Sequence, residues 1–211
     1  MKAAVLPKIT LKYEDEKQVN LHFCSINQMH FIMKKNVLVF GLISGLIITT
    51  MMVISIAMCY SRENFEGNVV VGYAAMILAF SLIFIGVRNF RNKYNNGVIS
   101  FGKAFKIGLY ITLIASTMYV VVWLIDYYLF IPDFMDKYTA HVLRQAENDG
   151  AGAAELAKKA EEMAKFKQMY TNPVMVVLLT YAEVLPIGLV ISLISAAILK
   201  RRSGGTAVAA G

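Results

Sequence analysis

Charge is scarce in this chain of 211 residues. Only 17% of them are Asp, Glu, Lys or Arg and 57% are hydrophobic, against about 25% charged and 45–50% apolar in ordinary soluble domains. That balance argues against a soluble globule. Cysteine is nearly absent, with two in all, which excludes a disulfide-stapled secreted scaffold. His141 is the only histidine beyond residue 32, and it lacks spaced Cys, His or carboxylate companions, so no metal site is expected. A phosphate-cradling glycine loop, H-E-x-x-H, G-x-S-x-G and paired cysteines are all missing. Nothing brings a nucleophile, a base and a charge stabiliser together, so the expected protein is no enzyme and uses no cofactor.

What the chain does have is apolar length. Residues 37–60 contain no charge, residues 69–87 and 107–125 repeat the pattern, and residues 174–199 are interrupted only by Glu183. A helix rises about 1.5 Å per residue, so roughly 20 apolar residues cross a hydrocarbon core of ~30 Å. The expected fold is therefore all-α: a four-helix transmembrane bundle within residues 33–202.

The basic residues orient it. Lys34 and Lys35 precede the first run, Arg88, Arg91, Lys93, Lys103 and Lys106 fill the second connection, and Lys200-Arg201-Arg202 follows the last run. The first connection, residues 61–68, has one basic residue beside Glu63 and Glu66. By the excess of basic residues on cytoplasmic loops, both termini and the middle connection are expected in the cytoplasm of a bacterium, with the protein in its inner membrane. The net charge of +7 is thereby a topology signal with contacts to anionic lipid, and nucleic acid is not an expected partner. Tyr60, Trp123, Tyr127, Tyr128 and Tyr170 fall at outer ends of spans, where aromatic rings favour the interface.

Residues 1–32 contain no apolar signal core, whereas Met33-Lys34-Lys35-Asn36 resembles the natural start of a bacterial membrane protein. Residues 1–32 are accordingly expected to be an extension from a misassigned start, and residues 203–211 a flexible tail. Cys24 and Cys59 would lie on opposite sides of the membrane and cannot pair.

Residues 132–173 form the one sizeable polar region, with six basic against seven acidic residues. Phe134, Tyr138 and Val142 are spaced by four, and Leu156, Met163, Phe166 and Tyr170 recur at near-heptad spacing, giving one apolar stripe per helix. Asn148-Asp149-Gly150-Ala151-Gly152 breaks them. An extracytoplasmic helical hairpin between the third and fourth spans follows. Asp126 is expected at the outer interface, in contact with water.

Glu183 stands nine residues after Val174, about 13.5 Å into the membrane. A carboxyl there without a cation is expected to be neutral. Pro186 removes one hydrogen bond to the carbonyl of Ala182, and Gly188 leaves room for a close neighbour. A midplane acid beside such a break suits proton or ion coupling; the structural alternative is a hydrogen bond across the bundle to Tyr110, Thr112, Ser116 or Tyr119. Small residues recur every four positions at Gly41, Gly45 and Thr49, at Gly108, Thr112 and Ser116, and at Gly188, Ser192 and Ala196. Such stripes suit close helix contacts, within one chain or between copies. Residues 97–106 read as an amphipathic element on the inner surface, with Phe101 and Phe105 in the interface and Lys103 and Lys106 at headgroups, able to dock a partner or a lipid phosphate or simply to anchor the helix.

Two strings, Gly97-Val98-Ile99-Ser100-Phe101-Gly102-Lys103-Ala104-Phe105-Lys106-Ile107-Gly108 and Glu183-Val184-Leu185-Pro186-Ile187-Gly188-Leu189-Val190-Ile191-Ser192-Leu193-Ile194-Ser195-Ala196, resemble domain-of-unknown-function family 4199. The resemblance covers residues 33–202. It implies four transmembrane helices with an outward helical insertion, no established activity, and a genomic association with glycosyltransferases similar to polyprenyl-phosphate-sugar synthases. The expected function is that of a non-enzymatic accessory or assembly partner, alone as a homo-oligomer or with another membrane protein. A small transporter working through Glu183 and an accessory in lipid-linked sugar handling are the alternatives.

Overall fold

A computed structural model describes residues 6–62 and 69–201, with side chains for residues 31–61 and 70–201. The tail at residues 203–211, Glu63 and Glu66 of the first connection, and the side chains of the N-terminal extension lie outside the described residues. Among those described, the chain is all-helical, with six α-helices: α1 (Leu6–Arg62), α2 (Val69–Tyr94), α3 (Phe101–Ile125), α4 (Phe134–Asn148), α5 (Ala153–Tyr170) and α6 (Pro173–Leu199). A π-helical turn, Asp126–Phe130, extends α3.

Four segments are long and apolar enough to cross a membrane: Phe31–Ser61, Val70–Tyr94, Phe101–Phe130 and Pro173–Leu199. Each extends past the apolar run that marks it in the sequence, and for α3 and α6 a side-chain cap sets the start. Ser100, in extended backbone, accepts from the Lys103 amide and starts α3 six residues before Ile107. Asn172 accepts from the Val174 amide, and Pro173 fills the first helical position, where a missing N–H costs nothing. Residues 101–106 are thus the opening turns of α3 itself, as an element that anchors the helix would be. Between α2 and α3 the chain reverses through Asn96 (φ 51°) and Gly97 (φ 74°), both in the left-handed region.

The third helix is the hub. It packs on α1, α2 and α6, α2 also touches α1 and α6, and α4 and α5 pack on each other. Phe80, Ile83, Val87 and Phe90 of α2 and Ile107 and Ile111 of α3 are fully buried among these helices. The outward faces are as apolar as the core: Leu46, Leu78, Leu129 and Ile198 are each more than 60% exposed. In water such surfaces would drive aggregation; in hydrocarbon they face their natural solvent, and helix association falls to packing and interhelical hydrogen bonds.

Candidate functional site

Close packing comes first, because it fixes what α6 presents outward. A Cβ on Gly188 would collide with the Thr112 side chain and stand 3.1 Å from the Phe80 ring, and one on Gly108 would stand 2.9 Å from Ser192. Only glycine admits α6 this near to α3. The seam is stitched by hydroxyls: Ser192 Oγ donates to the Gly188 carbonyl at 2.7 Å, so it accepts from Thr112 Oγ1 at 3.1 Å. On the other side of α3, a Cβ on Gly41 would meet Ile114 and one on Gly45 would meet Met118. All three small-residue stripes are used inside one chain.

Glu183 lies off this seam. Its side chain is exposed, as are Ala182 and Pro186 beside it, and the helix continues through Pro186. The hydrogen bond expected across the helices is not formed. Thr112 is engaged by Ser192, and Ser116 Oγ is buried with no partner. No hydrogen bond or ion pair reaches Glu183 from any described residue. Its neighbours are phenols: Tyr119 lies within electrostatic reach, and Tyr170, just beyond the span, is pushed up to about 12 by burial first and by the Glu183 carboxylate second.

At the opposite end of α3, Phe101 and Phe105 stack in parallel at 6.3 Å, Phe101 exposed and Phe105 packed against the core. Lys103 reaches back to α2, donating to Asn95 Oδ1 at 3.0 Å with its ammonium 5.1 Å from the Phe90 ring centre. Lys106 is exposed, 5.9 Å from the Tyr110 ring centre. The two halves of the candidate set are therefore not one site. Glu183, Pro186 and Gly188 sit on the α6 span, and Phe101, Lys103, Phe105 and Lys106 at the basic end.

Several arrangements escape a reading of the sequence. Asn36 is buried and donates to the Gly86 carbonyl at 3.0 Å while accepting from Asn89 Nδ2 at 2.7 Å, clamping α1 to α2. Ile99 and Arg201 exchange backbone hydrogen bonds of 3.0 and 2.9 Å, tying the α2–α3 turn to the end of α6. At the other end Tyr60 donates to Asp133 at 2.8 Å, and Lys137 pairs with the second oxygen of the same carboxylate. Asp126, expected in contact with water, is half-buried. Its Oδ2, at the first residue of the π-turn, is buried without a partner among the described residues. A polar residue at a span end carries no signal of whether it faces water, lipid or another helix, so none of these pairings is visible in spacing alone.

No group of three or more His, Cys, Asp or Glu able to hold a metal exists among the described residues. No curated protein and no solved structure matches the chain. The family described as "Protein of unknown function (DUF4199)" matches residues 39–201, which include both the α3 opening turns and the α6 seam, and the chain belongs to that family.

Proposed function

We propose that the protein is a non-enzymatic accessory or assembly partner in a bacterial cytoplasmic membrane: a four-helix transmembrane bundle with both termini cytoplasmic and the α4–α5 hairpin outside. We further propose that it engages its partner through the outward face of α6. The observation that carries this reading is Glu183, a carboxyl about 13.5 Å along a span that lies near Tyr119 and Tyr170 but forms no hydrogen bond with any described residue. Facing hydrocarbon, such a group loses the hydrogen bonds that water would give it. A neighbouring transmembrane helix that offers a hydroxyl, amide or carboxyl restores them. The apolar stretch of α6 is also the least covered of the four spans, 22% buried against 39–50% in the others, which leaves this helix the most surface for a partner. A transporter would need the acid on an enclosed path, and the exposed position of Glu183 gives that alternative no support. A role in lipid-linked sugar handling rests on genomic association alone.

Photocrosslinkers at Leu178 and Val190, both exposed on α6, test the reading in native membranes. One stoichiometric crosslinked membrane protein is expected, lost in Glu183→Leu while the variant still elutes as folded protein. Failure to crosslink any protein, or an unchanged yield in Glu183→Leu, sinks the proposal. Crosslinking to a second copy alone overturns the heteromeric form in favour of a homo-oligomer.

A further inference from the structure

The basic end of the molecule is unbalanced in charge. Residues 31–36, 88–106 and 199–201 contain nine Lys and Arg and no Asp or Glu. Loop orientation asks only that such residues be on one side; it does not ask that they converge. Here three from separate parts of the chain are brought to one turn. Arg91 Nη1 donates to the Leu199 carbonyl at 3.2 Å and Nε to Asn92 at 2.8 Å, which leaves Nη2 without a partner among the described residues. The backbone of Arg201 is held against Ile99 by its paired bonds, and its side chain is exposed. Lys103 is drawn to the same turn through Asn95, whose amide also donates to the Val98 carbonyl.

Two further features give the convergence a chemistry. The first turn of α3 opens here, with the N–H groups of Phe101 and Gly102 unbonded among the described residues and only the Lys103 amide taken by the Ser100 cap. A helix N-terminus of this kind adds partial positive charge to the neighbouring cations. Phe101 and Tyr94 are large, aromatic and 42% exposed beside it, and the site stands at the ends of apolar spans, where rings and headgroups meet. Cations, open amide N–H groups and apolar rings in one place fit an anion that carries an acyl chain.

We propose that Arg91, Lys103 and Arg201, with the first turn of α3, bind the phosphodiester headgroup of an anionic phospholipid of the surrounding bilayer. Arg201 supplies a forked donor to the phosphate oxygens and Arg91 its open Nη2, Lys103 adds a point charge, and Phe101 lies along the acyl region. This site is independent of the α6 face, so it can fail without affecting the partner reading, and the reverse.

The experiment uses the full purified chain, stripped stepwise with detergent after reconstitution with equal phosphatidylglycerol and phosphatidylcholine, with retained lipid counted by native mass spectrometry. Phosphatidylglycerol is expected to be retained at least tenfold over phosphatidylcholine, and the preference to fall towards unity in R91Q/K103Q/R201Q. The control R144Q/K158Q/K165Q, which removes as many charges from α4 and α5, is expected to keep it. Equal retention of the two lipids by the unmodified chain overturns the proposal, and that arm needs no variant to fold. A preference that survives in R91Q/K103Q/R201Q also overturns it. Inorganic phosphate at millimolar concentration is expected not to displace the lipid. Displacement would mean that the site takes a soluble anion, which overturns the lipid assignment.

Discussion

The two faces of α6 obey different rules. Towards α3 the helix is small and satisfied: Gly188 admits the Thr112 side chain, Ser192 both donates and accepts, and Val184 and Ala196 are fully buried. Four residues or fewer away around the cylinder stand Glu183, Pro186 and Val190, exposed, with the one acid of the span unpaired. In a membrane the two faces are alike in hydropathy, so hydrophobicity cannot distinguish them; hydrogen-bond satisfaction and side-chain size can. The difference places structural necessity on one side of the helix and leaves the other for an encounter. It also separates substitutions that should ruin the fold from those that should leave it standing.

The sharpest contrast sets Gly188→Leu against Glu183→Leu. A branched side chain at 188 would enter space held by Thr112 and Phe80, and forcing α3 and α6 apart should cost about 3 kcal/mol, the upper end for overpacking. Most of the folded protein should vanish from size-exclusion chromatography in mild detergent. Glu183→Leu removes an exposed, unbonded group and should change stability by less than about 0.5 kcal/mol. A tolerated Gly188→Leu would break the comparison outright.

Next in size is Asn36→Leu. It would strip the Gly86 carbonyl and the Asn89 amide of a shared buried partner, and unpaired buried groups of this kind cost about 1–3 kcal/mol. A clear drop in thermal midpoint is expected, about equal in Asn36→Leu and in the double variant Asn36→Leu/Asn89→Leu if Asn89 acts only through Asn36. A smaller effect belongs to the hydroxyl pair across the seam. A double-mutant cycle with Thr112→Val and Ser192→Ala should give a coupling of about 0.6 kcal/mol, the typical size of one interhelical hydrogen bond in a membrane. A coupling near zero would mean that the seam is held by shape alone.

Much of this architecture is legible in the sequence, and the reasons are physical. Apolar runs long enough to span a bilayer have few other uses, so four membrane-length helices follow from composition; the Ser100 cap, which starts α3 six residues before its apolar run, does not show in hydropathy. The periodicity of Gly188, Ser192 and Ala196 marks a close contact without saying with what; the fold assigns it to α3. Glu183 is visible as a singular residue, but not its direction. In a helix apolar all round, position 183 could turn inward or outward with no change in hydropathy. Asn36, Asn89 and the Ile99–Arg201 pairing depend on residues far apart in sequence, and one chain's spacing contains no trace of them.

The smallest predicted effect lies where water is present and a polar contact is worth least. Asp133 accepts from Lys137 and from Tyr60, and Lys137 also stands 4.2 Å from the centre of the Tyr60 ring, so the end of α1 is tied to the start of α4. The hydrogen bond from Lys137 first, and that from Tyr60 second, hold the Asp133 carboxyl below the ordinary carboxylate range. A carboxyl with a depressed folded-state value contributes stability that is present above its unfolded value, about 3.9, and lost as the pH falls through the folded one. The contribution should therefore be full at neutral pH and be lost on the acid side, as the pH falls below the ordinary carboxylate range. Because the group is exposed, it should be small and screened by salt. Asp133→Asn should remove the acid-side loss without moving the thermal midpoint at pH 7 by more than a degree or two. A large loss at pH 7 would show that the α1–α4 tie, like the α3–α6 seam, is part of what holds the molecule together.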